Sequence, residues 1–118
     1  MRDESPFVRG DIWMVDFGSA PEDPEQAFRR PAVIVSDDRL HHPNLEMVIV
    51  VPGTSTIRQV PLHIVVDAGS DVGLPHRTAF QVEQVRAVSV ARFVERLGRL
   101  DPVSRTAIDE VLRTALRL

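Results

Sequence analysis

Short apolar runs with a two-residue rhythm fill most of this chain, and a helical rhythm takes over only at its end. Asp11 to Phe17 alternates, with Ile12, Met14 and Asp16 on one side and Trp13, Val15 and Phe17 on the other. That predicts a first strand apolar on nearly both faces, with Asp16 either a paired buried carboxylate or a strand-end group. Ala32 to Val35 predicts a second strand that ends at Ser36-Asp37-Asp38. Met47 to Val51 has no polar interruption and predicts a third strand, buried on both faces and stopped by Pro52-Gly53. Leu62 to Asp67 reads as a short fourth strand, and Thr78 to Val85 as a fifth, with Phe80 and Val82 alternating against Gln81 and Glu83. Ser89 to Gly98 carries both rhythms and predicts one helical turn running into a short strand. Asp101 is placed as an N-cap with Pro102 at the first helical position, and Val103, Ala107, Ile108, Val111, Leu112, Ala115 and Leu116 form one helical stripe.

Between these elements, residues 1–9 read as a flexible tail, and Arg39 to Glu46 and Ala68 to His76 as loops. Gly18 to Phe28 holds Pro21, Pro24, Glu22, Asp23, Glu25 and Gln26; it is long for a hairpin connection, which makes it a functional candidate. Strands first and one helix last predict a mainly β fold: a small, curled antiparallel sheet, barrel-like so that its edges disappear, with the helix covering one side.

The length of 118 residues predicts a single domain over 1–118 with a core large enough to stand without staples. The chain has no Cys, which removes disulfides, thiolate metal sites and Cys nucleophiles and fits a cytoplasmic protein. No apolar run approaches a membrane span, and the start shows no signal-peptide pattern. The net charge of −3 does not announce nucleic-acid binding, but its distribution is uneven. Residues 1–28 carry seven acids and two bases, while residues 29–118 carry ten acids and twelve bases. Every base is Arg and none is Lys, so the cations are planar forks suited to bidentate phosphate contact. With one Trp and no Tyr, a broad aromatic platform for stacking bases is not expected.

Three chemistries compete for the polar residues. Asp37, Asp38, His41 and His42 in one loop, with His63 and His76 elsewhere, are the right types for a metal site. No spacing of the His-Glu-x-x-His kind is present, and solvated loop groups explain them more simply. Ser36 or Ser55 with a His would serve acyl chemistry, but no Gly-x-Ser-x-Gly elbow exists. The third is phosphodiester chemistry on RNA, where the ribose 2′-hydroxyl attacks its own phosphate. The protein then stabilises charge on phosphoryl oxygens and assists proton transfer. Arg29 and Arg30, just ahead of Pro31, and Thr54, Ser55, Thr56 and Arg58, just after Pro52-Gly53, supply that inventory.

The residues that carry a resemblance are Arg9-Gly10-Asp11-Ile12-Trp13-Met14-Val15-Asp16-Phe17, Glu25-Gln26, Arg30-Pro31-Ala32-Val33-Ile34-Val35-Ser36, and Val50-Val51-Pro52-Gly53-Thr54-Ser55. Glu83-Gln84-Val85-Arg86-Ala87-Val88 and Arg96-Leu97-Gly98-Arg99-Leu100 continue the series. Over residues 9 to 118 the chain resembles the MazF/PemK family of toxins. The resemblance implies a small SH3-like barrel of the CcdB/PemK type with a C-terminal helix, assembled as a homodimer. It implies metal-independent cleavage of single-stranded RNA at a short sequence without a cofactor, and inhibition by a MazE-like antitoxin that lays an acidic segment over the RNA groove. The family's catalytic Arg matches Arg30 and its catalytic Thr matches Thr54. On that resemblance Glu25, Gln26 and Arg29 fall beside the RNA groove, Ser55 and Arg58 are further candidates for RNA contact, and Glu83 and Gln84 match groups that contact bases or support those that do.

Two departures bear on groove shape. Pro24 precedes Glu25 where Gly-Ser-Glu is usual, and Phe28 stands where a small residue is common; Phe28 either stacks a base or packs on a partner subunit. Glu25 and water are the alternatives for the general base, since Arg is a poor one. Two rival readings use the same fold. A CcdB-like gyrase inhibitor would act through a C-terminal Trp-Gly-Ile, where this chain has Leu116-Arg117-Leu118. An inactive module binding RNA or an antitoxin would not need both Arg30 and Thr54.

Overall fold

The computed structural model describes residues 5–18, 29–41 and 44–118. Seven strands and one helix follow in order: β1 Asp11–Asp16, β2 Arg29–Ile34, β3 Met47–Thr54, β4 His63–Val66, β5 Thr78–Gln81, β6 Arg86–Ser89, β7 Phe93–Arg99 and α1 Pro102–Leu116. Every pairing is antiparallel; the order is β4-β5-β3-β2-β1-β7, with β6 added on β3. The expected mainly β architecture with a closing helix is therefore the one observed.

β3 organises the sheet. Its first half, Met47 to Val50, pairs with β6, and its last two residues, Gly53 and Thr54, pair with β5. Pro52-Gly53 does not end the strand, as the sequence suggested, but marks where it changes partner. A Cβ on Gly53 would stand 2.5 Å from Thr78 Cγ2, so only glycine lets β5 approach here. Alternate side chains of β2 and β3 enter two cores. Val33 and Val51 join Ile12, Phe80, Val82 and Ile108 beneath α1. Ala32, Ile34, Val48 and Val50 join Val15 and Val88, backed by Phe7, Trp13 and Phe93. The third strand is not buried on both faces throughout. Met47 and Ile49 are exposed, because α1 only partly reaches that side: Ile49 lines a shallow groove with Leu112 and Leu116.

The fifth strand stops at Gln81, since residues 82–84 turn in a single 3-10 helix before β6 begins. The segment 89–98 takes the expected form: a 3-10 turn over residues 90–92, capped by Ser89, runs into β7. Residues 5–9, read from the sequence as part of a tail, are docked. Phe7 packs on Trp13 and Phe93 with ring centroids 5.0 and 4.7 Å away, and Arg9 pairs with Asp109 at 2.6 Å. Of the loop read as a metal candidate, His42 lies outside the described residues, and Asp37 and His41 are tied down by other bonds. Asp37 caps the turn at residues 38–40 and pairs with Arg39, which holds its carboxyl down at about 2. His41 is buried, its Nδ1 2.6 Å from the Phe7 carbonyl and its Nε2 2.6 Å from Ser36 Oγ. Asp16 proves to be a strand-end group, accepting from the Gly18 N–H. Among the described residues no helix is long and apolar enough to cross a membrane.

Asp101 caps α1 by accepting from the Ser104 N–H at 2.9 Å, and that bond lowers its carboxyl pKa below the ordinary 3.8. A depressed carboxyl stabilises the fold above its unfolded pKa and loses that contribution as pH falls through the folded value. Asp101→Ala is therefore expected to cost about 1 kcal/mol at pH 7 and much less near pH 2, measured by urea unfolding at both.

Candidate active site

The β2–β3 register places Ala32 opposite Pro52. Arg30 and Thr54, each two residues further along, come level at the same end of the sheet and on the same face. There a cleft of about 900 Å³ opens, within the size range of ligand sites. Arg29 and Arg30 line it from β2, Gly53 and Thr54 from β3, and Ser55, Thr56 and Arg58 from the following turn. His63, Gln81 and Gln84 line it from the β4–β5 side, with Pro75, His76 and Thr78 nearby.

Arg30 is half-buried and held in place. Its Nε donates to the Gly53 carbonyl at 2.9 Å and its Nη2 to Gln81 Oε1, while Nη1 has no partner among the described residues. Burial pushes the guanidinium below its ordinary pKa. The group remains a cation, pre-aimed and with a free edge. Thr54 Oγ1 accepts from the Thr56 N–H at 3.1 Å, which closes the turn and leaves the hydroxyl proton available to a ligand. The site therefore offers a fixed cation and a hydroxyl donor side by side, with Arg29 and Arg58 exposed at its margins. That combination suits a phosphodiester oxygen.

Of the residues singled out in the sequence, Arg30, Thr54, Arg29, Ser55, Arg58 and Gln84 lie in this one cleft. Glu83 is set behind it, bonded through Oε2 to His63 Nε2 at 2.9 Å. Glu25, Gln26 and Phe28 lie outside the described residues. Gln81 was missed as a site residue, and the sequence offered His63 only as a distant metal ligand. Gln81 alternates as an outward-facing residue and gives no other local signal; only the pairing of β2 and β5 with the same strand, β3, brings it to Arg30.

Residues 8–116 match the family described as PemK-like, MazF-like toxin of type II toxin–antitoxin system. A Mycobacterium tuberculosis protein named probable endoribonuclease MazF5 is 36% identical over 109 residues, which is 92% of each chain. Endoribonuclease MazF9 of the same organism is 34% identical over 115 residues, covering 93% of this chain and 96% of its own. Among solved structures, the M. tuberculosis toxin MazF-mt6 shares the fold with a TM-score of 0.73 at 22% identity, covering 92% of this chain and 97% of its own. A mycobacterial endoribonuclease in complex with its cognate antitoxin gives a TM-score of 0.74 at 23% identity, covering 94% of this chain and 95% of its own. The chain belongs to the PemK-like, MazF-like family of toxins from type II toxin–antitoxin systems.

Proposed function

We propose that this protein is a toxin endoribonuclease that cleaves single-stranded RNA at a short sequence, with the substrate supplying its own nucleophile. The observation that carries this reading is the shared cleft of Arg30 and Thr54, with Gly53 and Gln81 fixing the guanidinium. The 2′-hydroxyl gives up its proton to a base as its oxygen attacks the adjacent phosphorus, charge grows on the non-bridging oxygens, and the P–O5′ bond breaks. Arg30 neutralises that charge and passes a proton to the leaving 5′-oxygen, to be refilled from water. Thr54 donates its hydroxyl to a non-bridging oxygen. The products are a 2′,3′-cyclic phosphate and a 5′-hydroxyl. Since the cation is a side chain and the nucleophile is ribose, the reaction asks nothing of a metal ion.

Arg29, Ser55, Arg58 and Gln84 hold flanking phosphates and bases, and Glu25 and Gln26 act from the β1–β2 connection. The relatives' antitoxin complex supports a cognate antitoxin as partner, one whose acidic segment competes for this arginine-lined cleft and binds less tightly as salt rises. Exposed Met47 and Ile49 support a homodimer. The deciding experiment incubates pure protein, shown by light scattering to have the dimer mass, with total RNA in excess EDTA. Cutting is expected to continue and to leave 5′-hydroxyl ends. A 2′-deoxy substitution at the scissile nucleotide is expected to abolish it. Cleavage of the deoxy-substituted strand, or its loss in EDTA, overturns the mechanism.

A further inference from the structure

Arg30 and Thr54 leave one task unassigned: neither can take the proton from the 2′-hydroxyl. A guanidinium has no acceptor, and a neutral hydroxyl is too weak a base. The other lining arginines, amides and hydroxyls share these defects. Among the described residues that line the cleft, only His63 and His76 carry a basic ring nitrogen.

These two histidines are placed very differently. His76 is exposed, and no carboxylate among the described residues orients its ring. The His63 side chain is only 6% exposed, and Glu83 holds its Nε2 at 2.9 Å. In the β4–β5 ladder His63 stands opposite Gln81, the residue that holds Arg30. Side chains opposed in this way lie next to each other on one face of a sheet. One continuous row thus runs Glu83, His63, Gln81, Arg30, and Arg30 in turn holds the carbonyl beside Thr54.

The remaining ring nitrogen sharpens the case. An ionised carboxylate only accepts, so Nε2 carries the hydrogen, and in the neutral ring the lone pair sits on Nδ1. His63 Nδ1 is buried with no hydrogen-bond partner, one of two such side-chain atoms among the described residues. A buried polar atom without a partner costs free energy and calls for an explanation; in a cleft, a base awaiting its substrate is one. A carboxylate on one ring nitrogen and a vacant second nitrogen is the arrangement by which a histidine is oriented as a proton acceptor.

We propose that His63 is the general base of this site, with Nδ1 taking the proton from the ribose 2′-hydroxyl while Glu83 fixes the ring as a positioning residue. The inference rests on the endoribonuclease reading. As the O2′–H bond breaks and the O2′–P bond forms, the proton moves to Nδ1; the P–O5′ bond breaks, O5′ gains its proton from Arg30, and the imidazolium returns its own to water. Nδ1 is buried in the protein without RNA, so the ring has to turn toward the 2′-hydroxyl as RNA enters; catalytic hydrogen bonds commonly tighten on binding.

The test compares variants on an RNA with one cleavage site. His63→Gln keeps a donor near the Nε2 position for Glu83 but removes the acceptor, and is expected to lower kcat about 10²–10⁴-fold with KM little changed. Glu83→Gln can donate to Nε2 and reverse the tautomer, and is expected to lower kcat by on the order of 10-fold or more. Added imidazole restores part of the rate of His63→Ala, which a purely structural role would not allow. On a substrate whose leaving 5′-oxygen is replaced by sulfur, which needs no proton, the Arg30→Gln defect shrinks and the His63→Gln defect does not. Wild-type cleavage by His63→Gln, with the loss falling instead on His76→Gln or Glu25→Gln, overturns the inference and leaves the endoribonuclease reading intact. A wild-type protein that cuts no RNA overturns both.

Discussion

Arg30→Ala is expected to slow RNA cleavage by on the order of 10³-fold or more, while the variant still folds and still binds RNA at low salt. The size follows from what the side chain does. Among the described residues it is the one lining cation fixed by two hydrogen bonds, to the Gly53 carbonyl and to Gln81, so it meets the growing phosphoryl charge without reorganising. Arg29 and Arg58 are exposed and hold no such position, so losing either weakens RNA binding and its salt dependence more than turnover. Arg30→Lys keeps the charge but not the fork: an ammonium cannot hold the Gly53 carbonyl and Gln81 while presenting a free edge, so it recovers little of the rate. Thr54→Val keeps the side-chain volume but removes both the hydroxyl donor and the acceptor that closes the turn at Thr56, and belongs about one to two orders of magnitude above Arg30→Ala. Single-turnover cleavage at saturating enzyme separates these losses from binding. A rate for Arg30→Ala within tenfold of wild type would remove this residue from the chemistry.

Much of this site could be read in the sequence because its parts sit at the ends of strongly marked strands. Arg30 precedes Pro31 and a continuous apolar run; Thr54 follows another run through Pro52-Gly53. Once two such strands pair, their polar ends must meet. What could not be read depends on register between distant segments. His63 and Glu83 lie twenty residues apart with no motif between them, and only the pairing of β4 with β5 brings them together. Gln81 was missed for a like reason: an outward-facing residue on an isolated strand becomes a wall of the cleft once β2 and β5 both pair with β3. Pro52-Gly53 misled for a related reason. A strand that changes partners shows locally the same break as one that ends. Nothing local showed that Phe7 and Arg9 dock, although Arg9 opens the first family-like stretch, since their partners Phe93 and Asp109 come from the other end of the chain.

The largest loss of stability is expected from Gly73→Ala. The turn around Gly69 to Leu74 lies directly on β7, where the Arg99 N–H donates to the Asp71 carbonyl at 3.0 Å. Two glycines make that approach possible from its two sides. A Cβ on Gly73 would stand 1.9 Å from the Leu97 carbonyl oxygen, and one on Gly98 2.4 Å from the Val72 carbonyl carbon. Both obstacles are backbone, so neither is relieved by turning a side chain. Gly73 also has φ of 71°, where alanine is strained even in open space. Strain of about 1 kcal/mol or more adds to a clash that must push the turn off β7, with Val72 and Leu74 carried out of the main core. The expected total is at least about 4 kcal/mol, a fall in melting temperature of roughly 15 °C or more. Gly69→Ala is the internal control. Its Cβ would meet only Val72 Cγ2 at 3.8 Å, an ordinary contact, so the shift should stay within about 3 °C. Thermal melts followed by circular dichroism on the three proteins decide the matter. If Gly73→Ala melts with the control, the turn is not pressed on β7.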